Sequence, residues 1–226
     1  MSAAALPASQ ALGSTSGRLV ERAGFAAVAT TSSGVAEALG YADGEQTPAG
    51  EMLAAVERIA RAVAVPVTAD MEAGYGLPGG ELAARVLAAG AVGLNLEDTD
   101  HADRPALVDA DAQAERIAAV KDAGDIVLNA RVDVQLRGGT AADGLARARR
   151  YAEAGADCVY PISVADEREI EAYVALGVPV NILALPSAPS PARLAELGVA
   201  RISYGGLIHA ALVREHEARL RALLDR

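Results

Sequence analysis

The chain has few residues that could cross-link it or fill a core with large rings. Among 226 residues there is one cysteine, Cys158, no tryptophan and one phenylalanine, and aromatic residues make up 3%. A single cysteine excludes an intramolecular disulfide, which favours a reducing compartment such as the cytoplasm. Because large rings are scarce, alanine, valine and leucine must fill the core. This composition favours helices that pack closely on parallel strands.

Positive charge and long apolar runs are also lacking. There are 20 Lys and Arg against 30 Asp and Glu, a formal net charge of −10. Nucleic acid is not expected as a partner, because neutralising phosphates requires Lys and Arg. No run of about 18 apolar residues is free of charge, glycine and proline, so no membrane span is predicted. The N-terminus lacks the basic region of a signal peptide, and 52% hydrophobic residues exclude a disordered chain.

Short apolar runs alternate with alanine-rich amphipathic runs along the whole chain. We predict buried parallel strands at Leu6–Leu12, Ala26–Thr30, Val65–Ala69, Val92–Leu96, Ile126–Ala130, Cys158–Ile162, Val178–Leu183 and Arg201–Tyr204. Helices are predicted at Gly17–Ala23, Ala49–Ala62, Gly80–Ala89, Asp111–Asp122, Ala141–Ala154, Glu167–Leu176, Pro191–Leu197 and Ile208–Asp225. This pattern predicts one (β/α)8 TIM barrel domain over residues 1–226. A doubly wound sheet is the alternative, but no glycine-rich phosphate turn follows the first strand.

Acidic residues follow neighbouring predicted strands, at the end of the barrel where active sites lie. Asp70 and Glu72 come directly after the third strand, and Glu97 follows the fourth. Three carboxylates at adjacent strand ends repel one another unless a cation lies between them. Oxygen-only ligands suit Mg2+, with Mn2+ as a second choice. The alternative is that each acid caps the helix that follows it.

Other polar residues at strand ends are suited to binding an anion. Arg131 has a guanidinium that fits a substrate carboxylate or phosphonate, or an ion pair with Asp133 or Glu97. Ser33 and Gly34 offer a hydroxyl and backbone N–H groups where the second strand turns into a loop. Asn181 either binds substrate or makes hydrogen bonds in the core.

Five stretches in order resemble the isocitrate lyase/phosphoenolpyruvate mutase superfamily. They are Thr30–Gly34, Gly40–Asp43, Thr68–Gly76, Asn95–Asp98 and Asn129–Asp133, and the stretches 151–157 and 199–205 are similar too. The resemblance implies a (β/α)8 barrel whose last helix is exchanged between subunits of a homodimer or homotetramer. It also implies a small carboxylate substrate, bound Mg2+, and the making or breaking of C–C or P–C bonds.

The same resemblance assigns roles to individual residues. For the metal, it implies Asp70 as the direct ligand, with metal-bound waters held by Asp43, Glu72 and Glu97. For the substrate, it implies that Ser33 and Gly34 bind the carboxylate and that Arg131 contacts the other end. Thr31 stands where mutases of the superfamily carry an aromatic residue over the pyruvyl unit.

The region that selects the reaction departs from the superfamily. Its lyases carry a Lys-Lys-Cys-Gly-His-like gating loop with a cysteine acid, and its mutases carry a loop with Lys and Asn. Residues 99–105 (TDHADRP) match neither pattern, and Cys158 is expected in the core. His101 is the candidate replacement acid or base, because histidine titrates near neutrality. The alternative is an exposed loop histidine.

We therefore predict a Mg2+-dependent lyase that cleaves a C–C bond of a small 2-hydroxy or 2-oxo acid through a metal-stabilised enolate. The P–C chemistry of a phosphoenolpyruvate mutase or phosphonopyruvate hydrolase stays open, as does oxaloacetate decarboxylation. Two further readings are a catalytically inactive barrel that binds a small acid and an unrelated Mg2+-dependent pyruvate aldolase.

Overall fold

The computed structural model describes residues 6–102 and 104–224, without the side chains of residues 6–8. Its strands are β1 (Leu6–Ala11), β2 (Val28–Thr30), β3 (Val67–Asp70), β4 (Gly93–Glu97), β5 (Thr99–Asp100), β6 (Ala106–Leu107), β7 (Val127–Val132), β8 (Cys158–Pro161), β9 (Asn181–Leu183) and β10 (Arg201–Ser203). Its helices are α1 (Ser14–Arg22), α2 (Ser32–Leu39), α3 (Ala49–Ala60), α4 (Gly79–Ala88), α5 (Ala110–Asp122), α6 (Ala141–Glu153), α7 (Glu167–Val174), α8 (Pro191–Glu196) and α9 (Leu207–Leu224).

Eight of the strands form one sheet that closes on itself. The spatial order is β8-β7-β4-β3-β2-β1-β10-β9, and neighbouring strands run parallel. A parallel bridge between Val159 and Val180 joins the two ends of this order. Each predicted strand and helix is present, with ends that differ by a few residues. The predicted (β/α)8 barrel is therefore confirmed.

Small and branched side chains fill the layer between helices and sheet, as the composition indicates. Ala55 on α3, Ala83 on α4 and Ala148 on α6 are buried. Short side chains at these positions let the helices approach the strands and pack at interior density. Tyr151 and Tyr173 are among the largest fully buried side chains.

Helix α2 is an element that the sequence analysis missed. Ser33 and Gly34 were expected in a loop, but they lie in the first turn of this helix, which begins after Thr31. A glycine inside a short helix lowers its intrinsic propensity, so the local sequence indicates a turn. The structure explains the glycine, because a Cβ at Gly34 would lie 2.7 Å from Thr31 Cγ2. Tight packing therefore decides the residue at this position.

The short segment after Glu97 and Asp98 also has structure of its own. Strands β5 and β6 form an antiparallel hairpin in which Thr99 pairs with Leu107 and Asp100 with Ala106. His101 lies in the turn of this hairpin. The segment is therefore anchored at both of its ends.

Helix α9 differs from the other helices in that none of its described residues is buried. Leu212, Val213, Leu220 and Leu223 on this helix are 41–62% exposed. No described helix is both long and apolar enough to span a membrane.

Candidate active site

A cavity of about 160 Å³ lies at the C-terminal ends of the barrel strands. This is the end at which the barrel architecture places chemistry. The described residues that line it are Gln10, Thr30, Thr31, Ser32, Ser33, Asp43, Asp70, Asn95, Arg131, Tyr160, Ile162, Leu183, Ser203, Gly205 and Gly206. Five of the residues predicted for the site, Thr31, Ser33, Asp43, Asp70 and Arg131, share this cavity.

Asp70 is the last residue of β3, and only one of its carboxylate oxygens accepts hydrogen bonds from the described chain. Its Oδ2 accepts hydrogen bonds from the backbone N–H and the hydroxyl of Ser32, both at 3.0 Å. Its backbone N–H donates to Thr30 Oγ1 at 2.8 Å. Asp70 Oδ1 accepts no hydrogen bond from the part of the chain that the structure describes. One carboxylate oxygen is thus fixed, while the other remains available at the cavity.

The N-terminus of α2 borders the same cavity. The first N–H groups of a helix have no partner within the helix and carry a partial positive charge. The Ser32 N–H donates to Asp70, while the Ser33 hydroxyl lies 3.1 Å from Thr31 Oγ1. Gly34 is in the same turn but does not line the cavity. This helix start is suited to binding a carboxylate.

Glu72 lies in a strained turn just after β3. Its φ is +46°, a left-handed conformation that is rare for a residue with a side chain. The side chain is 3% exposed, and it accepts hydrogen bonds from Tyr75 Oη at 2.5 Å and from the Glu45 backbone N–H at 2.7 Å. Burial, together with the charges of Asp43 and Asp70, raises the pKa of Glu72 to about 7, against the lowering effect of those hydrogen bonds.

Glu97, at the end of β4, is buried between two basic side chains. His101 Nε2 lies 2.5 Å from its Oε1, and Arg131 Nη1 lies 2.5 Å from its Oε2 without hydrogen-bond geometry. Burial raises the pKa of Glu97, against the charge of Arg131 and the contact with His101. The contact with Glu97 in turn raises the pKa of His101. His101 also lies 3.9 Å from Glu72 Oε2, so it bridges two predicted metal-site acids.

Arg131 makes the ion pairs considered as its alternative role and also lines the cavity. Its Nε and Nη2 donate to Asp133 Oδ1 and Oδ2 at 2.6 and 3.0 Å. Burial by itself lowers the pKa of Arg131, but Glu97 and Asp133 outweigh burial and raise it. A guanidinium has five N–H donors, and Asp133 takes two of them. Glu97 lies against Nη1, so one N–H on Nη1 and one on Nη2 remain for a ligand in the cavity.

Comparison with known proteins identifies the family to which this site belongs. Residues 6–224 match the phosphoenolpyruvate phosphomutase family. The chain belongs to this family. It is 32% identical to an uncharacterized protein of Mycobacterium tuberculosis over 206 residues, 89% of this chain and 78% of that protein. It is 31% identical to 2-methylisocitrate lyase of Escherichia coli over 161 residues, 66% of this chain and 54% of that enzyme. These matches confirm the isocitrate lyase/phosphoenolpyruvate mutase superfamily.

Solved structures give the same result. A provisionally named phosphonomutase of Burkholderia cenocepacia has a TM-score of 0.91 and 38% identity, over 96% of this chain and 93% of that one. A phosphonopyruvate hydrolase in complex with oxalate and Mg2+ has a TM-score of 0.85 and 27% identity, over 96% of this chain and 82% of that one. The superfamily relatives thus include lyases and enzymes of P–C chemistry.

The acids of this family member fit a magnesium site with one direct ligand. In the described ranges 6–102 and 104–224, no three His, Cys, Asp or Glu side chains converge on one point. Mg2+ usually keeps several waters and takes only one or two protein carboxylates. Asp70, with its available oxygen at the cavity, suits the direct position. Asp43 is exposed and lines the cavity, whereas Glu72 and Glu97 are buried and do not line it.

Asn181 is a predicted site residue that the structure places elsewhere. It begins β9 and pairs in register with Arg201, whereas Leu183 at the other end of the strand lines the cavity. Its side chain is fully buried, and neither amide atom has a hydrogen-bond partner in the described chain. Its strand ends at Leu183, as predicted, but only Leu183 at that end lines the cavity. Asn181 therefore belongs to the barrel interior rather than to the cavity wall.

The sequence analysis overlooked several residues that line the cavity. Gln10 and Ser203 join across β1 and β10 through a 2.6 Å hydrogen bond, and Tyr160 on β8 lies near Arg131 in the register. Gln10 is the one polar residue with a large side chain in the apolar first strand, a signal that was available. Ile162 and Leu183 resemble ordinary core residues, and no sequence signal indicates that they line a cavity.

Proposed function

We propose that this family member is a Mg2+-dependent lyase that cleaves a C–C bond of a small 2-hydroxy or 2-oxo acid. The observation that carries the proposal is the shared cavity of Asp70, Arg131 and the α2 N-terminus. In this proposal Asp70 binds the metal, and Arg131 and the N-terminus of α2 bind the two ends of a 2-oxo acid. The similarity to 2-methylisocitrate lyase supports C–C chemistry.

The substrate carboxylate binds between two groups in this proposal. The N–H groups at the start of α2 and the Ser33 hydroxyl hold one end, while Arg131 donates from Nη1 and Nη2 to the other. Thr31 and Ile162 close the cavity around the ligand.

The metal site would be formed by Asp70 directly and by Asp43, Glu72 and Glu97 through waters. When bound, Mg2+ stabilises the negative charge that develops on the 2-oxo oxygen as the adjacent bond breaks. The chain's own contribution is to fix Asp70 through Ser32 and to supply the Arg131 charge. Mn2+ has the same preference for oxygen ligands.

Proton transfer is assigned to the pair formed by His101 and Glu97. His101 Nε2 and Glu97 Oε1 lie 2.5 Å apart, close enough to exchange a proton. Neither residue lines the cavity, so the proposal requires a bound water to carry the proton between His101 and the substrate. Cys158 is buried in the barrel and burial raises the pKa of its thiol to about 12, which makes it a poor acid or nucleophile at neutral pH.

P–C bond chemistry is the second candidate, supported by the family description and by the similarity to phosphonopyruvate hydrolase. A phosphonate group adds up to about two negative charges to the substrate. Arg131 is the one cationic side chain among the described residues that line the cavity, and it is shared with two acids. A phosphonate would therefore depend on the bound Mg2+ for most of its charge neutralisation.

A panel of substrates separates the candidates. The purified chain is incubated with Mg2+ and malates, methylisocitrates, oxaloacetate or phosphonopyruvate, and products are followed by NMR. A C–C lyase releases a 2-oxo acid fragment, and decarboxylation releases CO2 with pyruvate. A P–C hydrolase releases phosphate and pyruvate, whereas a mutase converts phosphonopyruvate into phosphoenolpyruvate. If Mg2+ and oxalate bind but no compound turns over, the chain is a binding barrel and the lyase proposal is wrong.

We also propose that a second copy of this chain covers α9. An open groove of about 590 Å³ is lined by Leu12 and by residues of α9 that include Leu212 and Leu220. Exposed apolar surface of this kind marks an interaction site. A homodimer or homotetramer that exchanges α9 between subunits would bury it.

A further inference from the structure

Three consecutive residues at the end of β4 act on one segment at the end of β7. Glu97 pairs with Arg131, Asp98 Oδ1 accepts the backbone N–H of Asp133 at 2.8 Å, and the Thr99 hydroxyl donates to Asp133 Oδ2 at 2.6 Å. Asp98, Thr99 and Asp133 are all fully buried. Asp98 and Thr99 do not line the cavity. Their contacts therefore reach a ligand only through Asp133.

Asp133 is the group through which these contacts reach Arg131. Its two carboxylate oxygens form a fork with the Arg131 Nε and Nη2, at 2.6 and 3.0 Å. The last torsion of an aspartate is broad, so the carboxylate needs further contacts to fix its plane. Thr99 fixes one oxygen, and Asp98 fixes the backbone from which the side chain extends. A fork between planar groups then sets the plane of the guanidinium.

Asp98 is itself fixed from the outer side of the barrel. Its Oδ2 accepts hydrogen bonds from Tyr151 Oη at 2.7 Å and from Arg147 Nη1 at 3.1 Å, both on α6. Burial raises the pKa of Asp98, against its hydrogen bonds from Asp133 and Tyr151. A buried carboxylate that accepts three hydrogen bonds is a rigid support.

We propose that Thr99 and Asp98 are positioning residues that orient Arg131 toward the ligand through Asp133. The proposal rests on the proposed binding role of Arg131. Without the Thr99 hydroxyl, Asp133 loses the contact that fixes its plane, and the donors of Arg131 spread over more orientations. Small misplacements of a binding or reacting group have large effects on rate.

Thr99→Val tests the proposal because valine keeps the shape of threonine and removes its donor. Binding of Mg2+ alone and of oxalate with saturating Mg2+ is measured by calorimetry. We expect oxalate to bind about 10-fold more weakly, as for loss of a hydrogen bond to a charged group, with Mg2+ affinity unchanged. Thr99→Ser restores the hydroxyl and is expected to return oxalate affinity to near wild type. A general loss of structure would lower both affinities.

Thr47→Val is the matched control, because the Thr47 hydroxyl is buried and has no hydrogen-bond partner in the described chain. It is expected to leave oxalate binding unchanged. Tyr151→Phe is the second variant if Thr99→Val folds poorly, since it removes one support of Asp98. We expect oxalate binding about 3-fold weaker in that variant, a smaller effect than in Thr99→Val because Tyr151 acts on Arg131 through both Asp98 and Asp133.

Arg131→Lys distinguishes failure of the positioning proposal from failure of the proposed binding role of Arg131. If Arg131→Lys weakens oxalate binding while Thr99→Val and Tyr151→Phe do not, the positioning proposal is wrong and the role of Arg131 stands. If Arg131→Lys also binds oxalate like the wild type, both the role of Arg131 and its positioning are wrong.

Discussion

Ser32 holds Asp70 with two hydrogen bonds, one from its backbone N–H and one from its hydroxyl, both to Oδ2 at 3.0 Å. The first residue of α2 thus fixes the carboxylate at the end of β3. Helix α2, which was not predicted from the sequence, therefore orients the proposed metal ligand Asp70.

Ser32→Ala removes one of these two hydrogen bonds. We expect Mg2+ to bind about 3- to 10-fold more weakly, because one net hydrogen bond to a charged group no longer orients Asp70. Calorimetry measures the affinity. Ser190→Ala is the control, since Ser190 caps α8 by accepting the Arg193 N–H and is expected to affect stability alone. Equal Mg2+ affinity in Ser32→Ala and the wild type contradicts the prediction.

Glu72→Gln changes how stability depends on pH in the metal-free protein. The folded-state pKa of about 7 lies above the ordinary value of 4.5, so ionising buried Glu72 opposes folding. The wild type therefore loses stability as pH rises from about 4.5 to about 7, by up to about 3 kcal/mol. The variant does not titrate there.

Urea unfolding of both proteins in EDTA at pH 5 and pH 8 tests this. The variant is expected to be the more stable protein at pH 8, by about 1–3 kcal/mol, with a smaller difference at pH 5. Glu81→Gln, on the surface of α4 beside Arg85, is the control. A stability difference that does not vary with pH contradicts the assignment.

His101→Ala tests the proton role of the pair with Glu97. General acid–base catalysis contributes about 10²- to 10⁴-fold, so we expect kcat to fall by at least about 100-fold on the substrate found in the panel. Oxalate affinity is expected to change little, because His101 does not line the cavity. His216→Ala on α9 is the control. Intact turnover in His101→Ala rules out the role.

A paired change to Leu212→Asp and Leu220→Asp tests the cover of α9 by a second copy. Charges in an apolar interface are expected to shift the chain to a monomer in sedimentation velocity runs. Leu19→Asp places the same charge on an exposed leucine of α1 and is expected to leave the assembly unchanged. A wild type that sediments as a monomer contradicts the proposed homo-oligomer.

The parts that the sequence predicted are those with a simple periodic signal. Strand and helix positions follow from runs of apolar residues, and the acids after β3 and β4 stand where a barrel gathers its chemistry. The helix at Ser32 was missed because packing against Thr31, rather than local propensity, decides Gly34. Asn181 lies outside the cavity wall because it begins β9, two residues before the strand end at which Leu183 lines the cavity.

The support of Arg131 could not be predicted for a different reason. Asp98 and Thr99 follow Glu97 directly, so the sequence presents them as part of one acidic motif. Their distinct directions depend on the β5–β6 hairpin and on Tyr151, which is 53 residues away along the chain. Only the folded barrel shows that they contact Asp133.

The most direct test of the account is the Mg2+ dependence of carbon–carbon cleavage in the wild type and in Asp70→Asn. Product formation from the panel's 2-hydroxy and 2-oxo acids is followed by NMR, with Mg2+ and with EDTA. We expect a 2-oxo acid fragment to be released only with Mg2+, and the rate to fall by about 10³-fold or more in Asp70→Asn. Phosphate release from phosphonopyruvate alone, or cleavage that persists in EDTA and in Asp70→Asn, would contradict it.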